Sequence, residues 1–165
     1  THLVSDVPFF LTPGGSAWCE GRGERITPAP IPAARHAVLI LPGIPLSTPA
    51  VYRRFDDRVA TGLQQPGDLA PVDLADWSRR SSEQLLPRLI NDLEPAAFDL
   101  SEPLSRLRST AEQCLGRPVR MSGSGSTLFT LTDDPDSAEQ LASRLSEQLR
   151  VKTQAVRIAP AGRMQ

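Results

Sequence analysis

Two features of the sequence contain residue types that can carry chemistry, and the first is the stretch SGSGSTLF, residues 122–129. Glycine has no Cβ to block close approach, so consecutive N–H groups there can converge on a phosphate or on a loop that holds one. The same composition is typical of a simple turn or bulge that leads into a strand. The residues alone leave both interpretations open.

The second feature is Asp6, in the segment SDVPFF. A carboxylate at the end of an element can accept a proton or orient a hydroxyl group. An aspartate two residues before a proline also commonly caps a turn or a helix, and the spacing by itself favours that structural role.

Several familiar signatures are absent from the sequence. It has no G-x-x-x-x-G-K-[ST] loop and no G-x-G-x-x-G fingerprint. The G-x-S-x-G elbow of hydrolases is also missing, because position 122, two residues before Ser124, is a serine. The two histidines and the two cysteines are isolated from one another, which favours free thiols and gives no metal site.

The bulk composition is that of an ordinary globular protein. The chain has 165 residues, 39% of them hydrophobic, and 18 basic against 19 acidic side chains give a net charge of −1. Nothing in this balance calls for nucleic acid or an anionic membrane surface as a partner. No apolar run approaches the ~20 residues that span a bilayer. We therefore expect a soluble, cytoplasmic protein with one domain and a piece of a second.

Turn and proline signals divide the first third of the chain. Residues 16–20 and 24–27 have strand-like patterns on either side of a glycine turn, and the proline-rich residues 28–35 (PAPIPAAR) predict a linker and a domain boundary. The apolar run 37–41 predicts a covered strand. Thr48-Pro49 then predicts a helix start with Thr48 as a hydroxyl N-cap.

The remaining elements alternate between helices and strands. Residues 61–82 are polar and rich in Pro, Gly and Asp, and predict a loop. A helical pattern follows over 83–116, interrupted at three prolines, with Ser101 as a cap and Gly116 as a stop. A strand within 119–131, a helix from Asp134-Pro135 and a strand over 152–158 complete an α+β two-layer sandwich.

Four segments of the sequence occur in the order seen in one family: SDVPFFLTPGGSAWCEGRGERI, LPGIPLSTPAVYRRFD, NDLEP and SGSGSTLF. Together they resemble the 4-diphosphocytidyl-2-C-methyl-D-erythritol kinases of the GHMP kinase superfamily, from Leu3 to about Ile158. The resemblance implies a ferredoxin-like GHMP C-terminal domain over residues 36–160, preceded at residues 1–30 by the last strands of the N-terminal catalytic domain. It also implies ATP with Mg²⁺, and a cytidine diphosphate methylerythritol substrate that is phosphorylated on its 2-hydroxyl.

The resemblance assigns roles to particular positions. Asp6 matches the family's catalytic carboxylate, and Thr48 and Pro49 match a segment that lines the methylerythritol end of the substrate site. Three residues match the motif that lies near the nucleotide phosphates: Gly123, Ser124 and Gly125. The flanking Ser122 and Ser126 support the turn, and the recurring stretch around Glu20, Gly21 and Gly23 is equally typical of a hairpin.

The sequence also departs from the family pattern. Val4 stands where the family usually has glycine, and the P-x-x-x-G-L-G-G-x-S phosphate loop is absent. The lysine and asparagine beside the acceptor and the residues that hold the cytosine are missing too, and Lys152, the single lysine, is in the wrong place to substitute. We therefore expect the chain to be the C-terminal half of a kinase, inactive without an N-terminal GHMP segment.

Two other functions remain open from the sequence. A sister kinase acting on homoserine or mevalonate shares the glycine loop, although the S-T-P-x-V-Y and D-V-P-F-F segments argue against it. A stand-alone C-terminal module that binds a partner chain without catalysis would explain the missing phosphate loop.

Overall fold

The computed structural model describes residue 9 and residues 16–21, 23–30, 32–65 and 73–158. They fall into two compact units, the first within Thr1–Ala34, Ala70–Arg80 and Ile158–Gln165, and the second within Arg35–Leu69 and Ser81–Arg157. The division after Ala34 lies inside the proline-rich stretch 28–35. The assignment of residues 1–30 to a preceding catalytic domain stays a prediction.

A two-stranded hairpin is the β structure described in the first unit. Strands β1 (Ala17–Glu20) and β2 (Arg25–Pro28) pair antiparallel, with Trp18 opposite Thr27. The N–H of Gly23 donates to the carbonyl of Glu20 at 3.1 Å and closes the turn. The predicted strands at 16–20 and 24–27 are confirmed.

A four-stranded sheet forms the centre of the second unit. Its strands are β3 (Arg35–Leu41), β4 (Arg120–Met121), β5 (Leu128–Thr132) and β6 (Lys152–Ile158), in the order β4-β5-β3-β6. Strand β5 runs antiparallel to both β3 and β4. Val38 and Ile40 of β3 are fully buried, which agrees with the continuous apolar run in the sequence.

The helices of the chain are α1 (Thr48–Ala60), α2 (Leu74–Arg79), α3 (Ser82–Leu85), α4 (Glu94–Leu100), α5 (Glu102–Leu115) and α6 (Pro135–Leu149), with a 3₁₀ turn at Leu86–Arg88. Helix α6 packs on β3 and β5, α5 packs on α6, and α4 packs on both α5 and α1. The apolar stripe predicted for α6 faces this core, because Ala138, Ala142 and Leu145 are buried. The predicted α+β class is confirmed.

Local sequence explains where α4 begins and where α5 begins and ends. Ser101 accepts a hydrogen bond from the Leu104 N–H at 3.4 Å, and Gly116 ends α5 with a φ of 65°. Two of the prolines, Pro95 and Pro103, lie in the first turns of α4 and α5. They therefore start new helices, because the first turn needs no N–H donor. The predicted breaks in the helical pattern at these two positions are confirmed, since α4 and α5 are separate helices.

The loop predicted over residues 61–82 is wrong over its second half. Helix α2, in the first unit, lies within that range, and α3 begins at Ser82. Asp73 caps α2 by accepting hydrogen bonds from the N–H groups of Ala75 and Asp76 at 2.9 and 3.0 Å. The overall polarity of the segment concealed this aspartate cap, which is a helix-start signal.

Among the helices of the described ranges, none combines the length and the apolar character needed to cross a bilayer.

Candidate functional site

The glycine cluster forms the connection between β4 and β5. The N–H of Ser122 donates to the Thr127 carbonyl at 2.9 Å, and the N–H of Gly125 donates to the Ser122 carbonyl at 3.0 Å. Gly123 and Gly125 have φ values of 56° and 89°, where L-residues with a Cβ are strained. We call residues 122–127 the glycine loop.

The glycine loop has donor groups available for an anion. Within the described part of the chain, the N–H groups of Gly123 and Ser124 have no backbone acceptor. A Cβ placed on Gly123 would meet no atom within 4 Å, so the space in front of this residue is open. Successive N–H groups beside a glycine are a common arrangement for binding phosphate oxygens. The donor set of the loop therefore fits a nucleotide phosphate.

Thr48 lies beside this loop, at the start of α1. Its Oγ1 atom is 2.8 Å from Oγ of Ser124, and either hydroxyl can be the donor. Ser47 is the N-cap of α1, and its side chain makes no capping hydrogen bond. The prediction that Thr48 itself is the N-cap was wrong by one residue, because Thr48 is the first helical residue and its hydroxyl contacts the loop instead.

The segment before α1 also packs against the glycine loop. A Cβ placed on Gly125 would lie 2.8 Å from Sδ of Met121 and 3.0 Å from Cδ1 of Leu46. Pro49 follows Thr48 in the first turn of α1, where its fixed φ favours the helical start, and it is exposed. The residues predicted for the substrate and those predicted for the phosphates thus lie side by side, although their binding roles stay predictions.

An ion-pair cluster holds α1 to α4. Oδ2 of Asp99 accepts hydrogen bonds from Nε and Nη2 of Arg54 at 2.9 and 2.6 Å and from Nη1 of Arg58 at 2.7 Å. Burial opposes the charge on Asp99, but the hydrogen bonds from the two arginines outweigh it and hold the pKa of Asp99 below its usual value. This cluster fixes the helix that carries Thr48.

The remaining predicted positions belong to the N-terminal segment 1–30. Asp6, the predicted catalytic residue, lies outside the described residues, so its role stays a prediction. Gly21 and Gly23, with φ values of 70° and 100°, form the turn of the β1–β2 hairpin with Glu20, so a structural role is sufficient for them. In the described ranges, no group of three His, Cys, Asp or Glu side chains is arranged to hold a metal ion.

Sequence reasoning missed two residues beside the site. Tyr52 follows Thr48 by one helical turn, on the same face of α1, and 53% of it is exposed. An exposed aromatic residue beside the substrate segment is a candidate contact for a bound ring. Asn91, in the NDLEP segment, donates one hydrogen bond to the glycine loop, at the Gly123 carbonyl. The order of the four family segments indicated NDLEP, but its pattern did not assign a function to the asparagine.

A family match covers the middle and the C-terminal part of the chain. Residues 71–151 match the family described as GHMP kinases C terminal. Over this range the chain is similar to the C-terminal region of the GHMP kinases.

Within that class, the chain is similar to kinases of one kind. It is 36% identical over 161 residues to the 4-diphosphocytidyl-2-C-methyl-D-erythritol kinase of Streptomyces avermitilis, a match that covers 97% of this chain and 54% of that protein. A crystal structure of 4-(cytidine 5'-diphospho)-2C-methyl-D-erythritol kinase matches at 34% identity with a TM-score of 0.65, covering 92% of this chain and 52% of the other.

A more distant structure shares the fold alone. The homoserine kinase of Cytophaga hutchinsonii matches with a TM-score of 0.59 at 15% identity, covering 89% of this chain and 49% of that one. The chain spans about half the length of the relatives that it matches.

Proposed function

We propose that this chain is part of a cytoplasmic, ATP-dependent kinase that phosphorylates the 2-hydroxyl of 4-diphosphocytidyl-2-C-methyl-D-erythritol, in the non-mevalonate route to isoprenoids. The structural observation that carries the proposal is the contact between Thr48 and Ser124, which brings the substrate segment and the glycine loop together. The 36% identity to a kinase of that name, over nearly the whole chain, supports the choice of substrate.

The described residues have complementary tasks in this proposal. Thr48 and Pro49 line the methylerythritol end of the substrate. Gly123 and Ser124 direct their N–H groups at phosphate oxygens, and Gly125 lets the loop lie close to Leu46. Phosphoryl transfer depends mainly on positioning and on electrostatic stabilisation, and hydrogen-bond donors fixed beside the substrate contribute to both.

Asp6 takes the proton in the proposed chemical step. The acceptor hydroxyl oxygen forms a bond to the γ-phosphorus of ATP while the bond from that phosphorus to the β,γ-bridging oxygen breaks and ADP leaves. The hydroxyl proton passes to the carboxylate of Asp6, which returns it to solvent after product release. The hydroxyls of Thr48 and Ser124 stay protonated and act through hydrogen bonds.

Mg²⁺ accompanies ATP in this proposal, because a divalent cation neutralises the phosphate charges in phosphoryl transfer. The described residues offer no cluster of carboxylates for it. We therefore assign no residue of the described ranges as a metal ligand.

The test is an ADP-release assay on the full-length gene product with three alternative acceptors: the cytidylyl substrate, homoserine and mevalonate. We expect turnover with the cytidylyl substrate and at most background with the other two. Preferred turnover of homoserine or mevalonate would indicate a sister kinase. Absence of turnover with every acceptor, in a folded protein, would favour a non-catalytic binding module.

A further inference from the structure

The glycine loop is held from one side by Asn91. Nδ2 of Asn91 donates to the carbonyls of Met121 at 3.0 Å and Gly123 at 2.8 Å, and Oδ1 accepts the Leu93 N–H at 3.1 Å. An amide has two donor hydrogens, and both face carbonyl oxygens here. The reversed amide would place oxygen against two carbonyls and nitrogen against an N–H. The hydrogen-bond network therefore allows one orientation of the side chain.

Glu94, three residues later, holds the same strand by a different group. Its Oε1 accepts the Met121 N–H at 2.6 Å, and its Oε2 lies 3.7 Å from Nη1 of Arg120. Glu94 is only 8% exposed, so this charge is paired inside the protein. The backbone N–H and carbonyl of Met121 are thus both bound by side chains of the NDLEP segment.

These side-chain contacts matter because strand β4 is short. It contains two residues and lies at the edge of the sheet, where β5 is its neighbour. Two residue pairs with β5 give the strand few ladder hydrogen bonds to fix the loop that follows it. Asn91 and Glu94 bind the carbonyl and the N–H of Met121, which a neighbouring strand would otherwise bind.

The contact with Gly123 also sets the direction of a donor. The Gly123 carbonyl and the Ser124 N–H belong to one planar peptide group, in which they point in opposite directions. Because Asn91 binds the carbonyl, the N–H of Ser124 points away from Asn91. This is one of the two loop N–H groups that have no backbone acceptor in the described ranges.

We propose that Asn91 is a positioning residue for phosphoryl transfer: its carboxamide fixes the peptide between Gly123 and Ser124 so that the Ser124 N–H faces the nucleotide phosphates, with Glu94 holding the strand behind it. The inference rests on the proposed kinase function. Asn91 touches no substrate in this arrangement and acts through the loop.

The test compares two nearly isosteric variants in the full-length gene product. Asn91→Asp keeps an acceptor for the Leu93 N–H but replaces the donor by a carboxylate oxygen facing two carbonyls. Thr153→Val is the matched control, because Thr153 also donates from its side chain to a backbone carbonyl, that of Ala142 at 2.8 Å, and lies on β6 at the opposite edge of the sheet.

Asn91→Asp is expected to raise the KM for ATP about tenfold, the scale of one misdirected hydrogen bond to a charged group, with the KM for the acceptor within about twofold of wild type. Hydrogen–deuterium exchange of residues 122–126 is expected to accelerate in Asn91→Asp and to stay at the wild-type rate in Thr153→Val. If Asn91→Asp does not fold, Asn91→Ser, which also lacks the amide donor, is measured against the same expectations.

If Asn91→Asp leaves the exchange rate of the loop unchanged, or changes the KM for ATP and the KM for the acceptor equally, the proposed role of Asn91 is overturned. The proposed kinase function would stand in that case, provided that the wild-type protein turns over. Absence of turnover in the folded wild-type protein would instead overturn the proposed function, and with it the role of Asn91 in phosphoryl transfer. The two failures are therefore distinguishable.

Discussion

The hydroxyls of Thr48 and Ser124 lie 2.8 Å apart, although 76 positions separate them in the chain. The contact joins the first residue of α1 to the middle of the glycine loop. The sequence singled out both segments separately, and each of them could have had a purely structural role. This contact places them side by side in one candidate site. Because both side chains can donate and accept, either one can release its bond and turn to a ligand.

The first prediction concerns the coupling between these two hydroxyls. Thr48→Val and Ser124→Ala are each expected to lower kcat/KM. When each decrease is converted to a free energy, the loss in the double variant is expected to be smaller than the sum of the two single losses by about 1 kcal/mol, because the two groups share one hydrogen bond. Thr110→Val is the control, since its hydroxyl bonds only a carbonyl of its own helix α5. Fully additive losses would mean that the two hydroxyls act independently.

A second prediction separates backbone strain from packing in the glycine loop. Gly123→Ala and Gly125→Ala both place a Cβ at positive φ, but only at Gly125 would that atom collide, with Met121 and Leu46. We expect Gly123→Ala to lower the free energy of unfolding by about 1 kcal/mol and Gly125→Ala by about 1–3 kcal/mol more. Chemical denaturation of the two variants measures the difference, and equal losses would contradict a packing role for Gly125.

Much of the fold followed from local signals in the sequence. Periodicity and cap chemistry depend on neighbouring residues, so the sequence predicted these features correctly. They are the apolar runs of β3 and β5, the apolar stripe of α6 and the caps at Ser101 and Gly116. Errors arose where one residue type has two uses. Asp73 was counted with a polar loop although it caps a helix, and Thr48 was assigned as an N-cap although it is the first helical residue.

The candidate site was less accessible to sequence reasoning. Residue types and family order selected Thr48 and the glycine loop, but no pattern predicts that two hydroxyls so far apart in the chain will meet. The proposed role of Asn91 depends on how its amide is oriented between the carbonyls of Met121 and Gly123, which are 30 and 32 positions away in the chain. Such information exists only in three dimensions, because a lone asparagine in a loop is compatible with many partners.

A third prediction concerns Asp6, the residue proposed to accept the proton. Asp6→Ala in the full-length gene product is expected to lower kcat by two or more orders of magnitude, because general base catalysis contributes on that scale. The KM for ATP is expected to change little, since the carboxylate faces the acceptor in the proposal. A thermal unfolding midpoint close to that of wild type would show that the fold is intact, and wild-type turnover in the variant would remove Asp6 from the catalytic role.

The last prediction is a pH dependence that originates in the ion-pair cluster between α1 and α4. The pKa of Asp99 is lowered from 3.8, since the hydrogen bonds from Arg54 and Arg58 outweigh the opposing effect of burial. The folded state therefore binds the Asp99 proton less well than the unfolded state does. Its stabilisation is present above pH 3.8 and is lost as the pH falls through the lower folded-state pKa.

Asp99→Asn removes this titration while keeping the size of the side chain. We expect the variant to be less stable than wild type by about 1 kcal/mol at pH 7, the upper range for a partly exposed ion pair, and the difference to shrink below pH 4. Urea unfolding at pH 7, 5 and 3 measures it. Asp56→Asn, at an exposed position on α1, is the control. A difference between wild type and Asp99→Asn that stays constant down to pH 3 would show that the two arginines do not stabilise the ionised carboxylate.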